Sequence, residues 1–350
     1  MRKTAFFQLI DSMQKIILIG FGFMGTMHAQ VYSQLKKARV VAVVDTNRKV
    51  AAAAMAKLGV KAPLFGDLGS ALKAVEADAV DICLPTHRHA PAALEAIAAG
   101  KHIFCEKPLA LTIADAERIT SAAKRAKVFA QVGQCIRFWP EYVAFRDFFA
   151  SGRAGGLRSL SLQRRSGLPM HSVEGWLINP VLSGGAAIDL HIHDTDFVIS
   201  LLGTPKAVSS SATIDANGPS HIFTSYTYKG LPVVAEGGWN YPLQWGFQMA
   251  FQAIFERGTV EYDSGTGLFV TLGKNPRRPM PFKAPSVGAS TTGAGNISSL
   301  GGYFNELQYF VSCLETNTPP SIATLAQASE SLRVVLAEVA SARSGKPVNL

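Results

Sequence analysis

Glu106-Lys107-Pro108 closes an apolar run, His102 to Cys105, so an acid and a base stand at the end of what reads as a buried strand. Open α/β sheets bind ligands in the crevice beyond the carboxyl ends of their strands, and a lysine there can hold a substrate oxygen. Taken alone, the pair also reads as ordinary solvated charge opening a loop. A second group, Ser183 to Asp196, is the densest polar cluster in the chain and contains Asp189, His191, His193, Asp194 and Asp196. On a strand, His191 and His193 would share a face and, with Asp194, invite a metal ion and hydrolytic chemistry. On a helix they diverge, and Asp189 and His193 share a face instead. The run continues apolar to Leu202 and stops at Gly203 with Pro205 beyond, which predicts a helix. Its polar stripe is Asp189, His193, Asp196 and Ser200, in which Asp189 either orients His193 as a general base or bonds to it as plain structure.

A third group is glycine-rich. Lys15 to Ile19 reads as a strand and runs into Gly20-Phe21-Gly22-Phe23-Met24-Gly25, a helical run follows, and a second strand ends in Asp45, twenty residues past the last glycine. That context predicts a dinucleotide site on Gly20, Gly22, Phe23, Met24 and Gly25: the glycines admit the pyrophosphate, the helix start meets its charge, and Asp45 accepts from the ribose hydroxyls. Asp45, with Thr46 beside it, favours NAD because a carboxylate repels a 2′-phosphate. Arg48 keeps NADP open. His87 and His89 follow a later strand, where they face the nicotinamide side or serve as helix-start and packing residues.

The scaffold that must bring these groups together alternates. Strands at Lys15–Ile19, Val40–Val44, Lys61–Phe65, Ala79–Leu84, His102–Cys105 and Val128–Val132 are separated by helices over 26–37, 48–58, 68–75, 91–99 and from the Thr112–Asp115 cap to Ala126. This is an N-terminal Rossmann doubly wound parallel sheet over residues 13–137. After Pro140 a helix (141–150) gives way to longer period-two strands at 157–165, 207–214, 222–228, 232–239, 247–255 and 258–262, with helices at 303–315 and 329–344. The fold class is therefore α/β, with a C-terminal α+β domain over residues 138–350 built on a large, mostly antiparallel open sheet. Residues 1–12 read as a leader outside the fold, with Met13 as the natural start, and residues 273–300 as a long loop suited to a lid or to disorder.

Composition narrows the partners. The 34 Lys and Arg against 25 Asp and Glu leave a net charge of +9, which suits an anionic ligand, but the bases are too scattered for a nucleic-acid surface. There is no run of about 18 apolar residues to span a membrane. Cysteines 83, 105, 135 and 313 have no CxxC spacing and read as reduced thiols of a cytoplasmic protein.

The chain from Met13 to Leu350 resembles the Gfo/Idh/MocA oxidoreductases, named for glucose-fructose oxidoreductase and inositol dehydrogenase. The marks are the glycine loop ending in Gly25, Gly100-Lys101-His102 leading to Glu106-Lys107-Pro108, and Gly184-Gly185 leading to Asp189-Leu190-His191-Ile192-His193-Asp194-Thr195-Asp196. The last segment is most similar to the inositol dehydrogenase branch. The resemblance implies NAD or NADP as cofactor, and a hydroxyl or ketone of a sugar, cyclitol or related polyol as the reacting group. It also implies a homodimer or homotetramer formed through the C-terminal sheet. By position it places Lys107 on the reacting oxygen, Asp189 in support and His193 as general base, with no metal. Leu84, Pro85, Thr86, His89, Glu106 and Lys107 would line the cofactor. The family commonly has Thr-Pro-Asn-x-x-His where this chain reads Leu84-Pro85-Thr86-His87-Arg88-His89, so Thr86 replaces an amide. Arg137, His171 and Trp176 join Lys107, Asp189 and His193 as the expected substrate wall, although Trp176 also suits core packing. A redox-neutral enzyme with tightly bound NAD, either an epimerase or an oxidation-assisted glycosidase, and a non-catalytic NAD-binding regulator are the alternatives.

Overall fold

The computed structural model describes residues 13–170, 172–287 and 300–350. The expected leader, His171 and most of the expected lid lie outside the described residues. In the first half the elements are β1 Gln14–Ile19, α1 Phe23–Tyr32, β2 Ala38–Val44, α2 Arg48–Leu58, β3 Leu64–Phe65, α3 Leu68–Ala74, β4 Ala79–Ile82, α4 His89–Ala98, β5 His102–Glu106, α5 Ile113–Ala126 and β6 Ala130–Gly133. The strands pair in parallel in the order β3-β2-β1-β4-β5-β6. The order reverses between β1 and β4, so the carboxyl ends of these two strands splay apart and open the crevice where a doubly wound sheet takes its ligand.

The second half begins with α6 Pro140–Ala150, β7 Leu157–Gly167, α7 Pro180–Ser183, a π turn Ala187–His191 and α8 Ile192–Leu202. It continues through β8 Ala207–Asp215, β9 Gly218–Tyr228, β10 Leu231–Tyr241, β11 Phe247–Phe255, β12 Gly258–Asp263, β13 Gly267–Leu272, β14 Arg278–Pro279, α9 Gly301–Glu315, α10 Leu325–Ser344 and β15 Val348–Asn349. Nine strands form one sheet in the order β14-β13-β12-β11-β7-β10-β9-β8-β15, antiparallel except where β10 pairs with β7. Alternation does the sorting. On β11 Met249, Phe251, Ala253 and Phe255 are buried, while Gln252 and Ile254 are exposed on the other face. Tyr142 and Phe145 of α6 pack against Phe251, edge-on and stacked, and Phe197 of α8 packs edge-on against Tyr142, so both helices are clamped to the sheet.

The two halves share their packing. Leu307, Phe310 and Val311 of α9 pack with Ile16, Met27, Val31 and Phe104, so a helix from near the carboxyl terminus covers one face of the nucleotide domain. Leu325, Ala328, Leu332 and Val335 of α10 pack with Ala116 and Ile119 of α5 and with Ile188 and Ile192. A boundary at residues 137 and 138 follows the order of the chain, but the core crosses it. No helix among the described residues is long and apolar enough to cross a membrane.

Candidate active site

β1 runs straight into Gly20-Phe21-Gly22, and α1 starts with no side-chain cap and no acid in its first turn. Such a start favours an anion. Gly20 has φ of +86°, and a Cβ there would lie 2.4 Å from the Cys83 carbonyl oxygen. A Cβ on Gly25 would lie 1.9 Å from the Gly20 carbonyl oxygen. The loop's own packing on β4 thus demands both glycines. Gly22 is different: its Cβ would meet no described atom within 4 Å and would project into open space over the helix start, where a pyrophosphate would lie. Gly22→Ala is therefore expected to keep the wild-type melting temperature yet weaken NADH binding about tenfold, whereas Gly25→Ala should lose stability as well. Thermal unfolding alongside NADH fluorescence titration separates the two.

The Asp45 carboxylate follows β2 and accepts from the Phe21 N–H at 2.8 Å and the Asn47 N–H at 2.7 Å. It is pinned beside the glycine loop, at the place a ribose would occupy. Thr46 and Arg48 are exposed on the rim, and the Arg48 guanidinium reaches the Leu64 carbonyl at 3.5 Å. Uncapped helix start, open Gly22 and anchored carboxylate together fit a dinucleotide.

On the far side of the crevice, Leu84-Pro85 leads into a short turn, Thr86–Arg88, in which the Thr86 hydroxyl is buried without a described partner. His89, expected against the cofactor, is buried, with Nδ1 2.8 Å from the Pro108 carbonyl and Nε2 2.8 Å from the Leu84 carbonyl. It brackets two loops together instead of presenting its ring to a ligand. Glu106, also expected on the cofactor, turns down into the domain. Its Oε2 accepts from the Lys107 N–H at 3.1 Å, and its Oε1 lies 3.1 Å from His28 Nε2. The peptide between Lys107 and Pro108 is cis.

Lys107 reaches across to the other half of the molecule. Its Nζ donates to the Asp189 carbonyl at 2.6 Å and to Asp189 Oδ1 at 3.2 Å. The expected Asp189–His193 hydrogen bond is not formed. Asp189 sits in the π turn that opens α8, and its carbonyl and Oδ1 both accept from Lys107. His193 Nδ1 is left with no partner among the described residues. Burial first, then the Lys107 and Arg164 charges, push the His193 pKa well below its ordinary value. The ring is therefore neutral at neutral pH and able to accept a proton.

The rest of the polar run points elsewhere. His191 Nε2 lies 2.9 Å from Glu338 Oε2, Asp194 accepts from Arg164 at 2.9 and 3.0 Å, and Asp196 accepts from Arg137 at 2.7 and 2.8 Å and from the Ser331 hydroxyl at 2.7 Å. His191, His193 and Asp194 do not converge, so the metal-site reading of this run has no centre to stand on. Arg137, expected on the substrate wall, is only 8% exposed and is committed to Asp196 and Gln327. Trp176 is half-buried in a short turn, Val173–Ile178, which packs on α7. Reading local spacing misses the partners Arg164, Glu338 and His28. A weak trace exists for Arg164, which shares the inward parity of Leu160 and Leu162 on β7.

Residues 14–134 match a family model described as oxidoreductase family, NAD-binding Rossmann fold, and residues 142–261 match the GFO/IDH/MocA C-terminal domain. The chain belongs to the GFO/IDH/MocA oxidoreductase family. Inositol 2-dehydrogenase of Rhizobium meliloti (strain 1021) is 35% identical over 203 residues, 56% of this chain and 58% of that protein. Myo-inositol 2-dehydrogenase of Thermotoga maritima is 30% identical over 189 residues, 54% and 55% of the two chains. This GFO/IDH/MocA chain thus spans little more than half the length of these curated relatives. Levoglucosan dehydrogenase, solved with NADH and levoglucosan, superposes with a TM-score of 0.81 over 96% of this chain and 99% of that one, at 22% identity, which is a likeness of fold. The cofactor of this family member is NAD, as the model over its glycine loop describes.

Proposed function

We propose that this family member is an NAD-dependent dehydrogenase that interconverts a secondary hydroxyl and a ketone on a sugar, cyclitol or related polyol, in the manner of the inositol dehydrogenases it resembles. The observation that carries the reading is Lys107 held on Asp189 at the carboxyl end of β5, with its charge acting on the buried His193. With its pyrophosphate held by the glycine loop, the dinucleotide would supply a nicotinamide as hydride acceptor or donor. Lys107 donates a hydrogen bond to the reacting oxygen and stabilises the negative charge that grows there as the C–H bond breaks. His193 accepts the hydroxyl proton on its imidazole. Asp189 holds the ammonium in place and balances it. Arg48 on the rim leaves NADP as the second cofactor to try.

The test is reduction of NAD, and of NADP, with a panel of cyclitols, aldoses and glycosides. At least one polyol should be oxidised, and a panel with no turnover in either direction refutes the reading. We also assign homodimer or homotetramer contacts to the open face of the nine-stranded sheet, where Phe223 is 52% exposed and Val234 of β10 and Ile254 of β11 are exposed as well. Sedimentation over a range of concentrations should give a dimer or tetramer, and a monomer throughout would remove this assignment.

A further inference from the structure

Beneath Lys107, four ionisable side chains meet inside the nucleotide domain: His28 of α1, Asp81 of β4, Glu106 of β5 and Glu306 of α9. His28 is fully buried, with Nδ1 2.8 Å from Asp81 Oδ2 and Nε2 3.1 Å from Glu106 Oε1, the second a contact of charges without the geometry of a hydrogen bond. Cys83 Sγ lies 3.2 Å from the same Nδ1, and the Phe104 ring packs edge-on against the imidazole. Both Glu306 carboxyl oxygens are buried without a described partner. Burial and the neighbouring Glu106 push the Glu306 pKa well above its ordinary value. Burial works against a charge on His28, but Asp81 and Cys83 together outweigh it and push its pKa well above the ordinary value.

Stability explains this group poorly, because a buried ion pair is often no better than well-packed apolar residues of the same volume. What it connects to is more telling. Asp81 fixes His28, His28 faces one oxygen of Glu106, and the other oxygen of Glu106 accepts the Lys107 main-chain N–H at 3.1 Å. Beyond that N–H the Lys107 side chain leaves for Asp189. Gly133 leaves room for the arrangement, since a Cβ there would come within 2.9 Å of Glu106 Oε1.

We propose that His28 is a positioning residue: it holds the Glu106 carboxylate against the Lys107 N–H and so fixes the direction in which the Lys107 ammonium enters the site. The proposal rests on the reading that Lys107 acts on the reacting oxygen. Misplacing a catalytic group by about 1 Å costs on the order of 100-fold in rate. His28→Gln strips the buried Glu106 carboxylate of its counter-charge. It should lower kcat about 100-fold while KM and the NADH dissociation constant stay within about threefold. In His28→Gln/Glu106→Gln the amide oxygen accepts the same N–H with no charge to balance, and about tenfold of the loss should return. A lower melting temperature with kcat untouched, or a double variant no more active than the single, overturns the proposal. Should His28→Gln fail to fold, Asp81→Asn carries the test, with a loss of about tenfold expected and an unchanged kcat overturning it.

If the wild type turns over no polyol, the dehydrogenase reading fails and positioning is read from Lys107 directly. Competitive acylation followed by peptide mass should then label Lys107 about tenfold faster in the variant, as the ammonium leaves Asp189. Equal rates overturn the proposal.

Discussion

Lys107→Ala is expected to lower kcat for polyol oxidation by about 10³- to 10⁴-fold while the NADH dissociation constant stays within about threefold. The magnitude follows from what the side chain supplies: a single preorganised charge at the oxygen where negative charge develops. Cofactor binding is spared because the groups that fit the dinucleotide, Gly22 and Asp45, stand at the ends of β1 and β2, two strands or more away from β5. Steady-state kinetics and fluorescence titration on one preparation check both halves, and normal turnover would remove Lys107 from the chemistry. The same substitution reports on His193. Its pKa is lowered by burial, then by the Lys107 and Arg164 charges, so removing Lys107 should raise it without restoring the ordinary value. A histidine titration by NMR reads this shift. The sign for stability follows. Below about pH 6.5 the unfolded chain binds a proton at this position that the folded wild type refuses, so stability falls as the pH drops through that window. The alanine variant should lose less there.

What could be read from the sequence was what is local. The βα alternation, the glycine loop and Asp45 are written within short windows, because hydrophobic period, turn residues and caps act over a few positions; Thr112 caps α5 by accepting from the Asp115 N–H. The expected Asp189–His193 hydrogen bond is missing for a reason that lies far along the chain: the Asp189 carbonyl and carboxylate accept from Lys107. Arg137, His89 and Glu106 are held in a similar way. Each stands at a position that a ligand would also favour, and each is claimed by a partner whose distance along the chain leaves no trace in spacing: Asp196 for Arg137, Pro108 for His89, His28 for Glu106. The packing of α9 and α10 back onto the nucleotide domain belongs to the same class, since amphipathic faces do not name what they cover.

Arg137→Met is expected to destabilise the protein by about 3–5 kcal/mol, because it leaves the fully buried Asp196 carboxylate unpaired. The guanidinium gives two hydrogen bonds to Asp196 and a third, at 2.8 Å, to Gln327 Oε1. Gln327 belongs to the capping box that starts α10, and Ser331 of α10 also donates to Asp196. One side chain therefore ties the turn after β6 to α8 and α10, and α8 continues from the π turn that carries Asp189 and itself carries His193. Urea unfolding should show the loss as a lower midpoint. Arg137→Met/Asp196→Leu, which removes both charges, should recover most of it, as apolar replacement of a whole buried pair usually does. A residue of the substrate wall would behave in the opposite way, raising KM with the unfolding midpoint unchanged and gaining nothing from the second substitution. That outcome would return Arg137 to the substrate and leave the charges about α8 to Arg164 on Asp194 and His191 on Glu338.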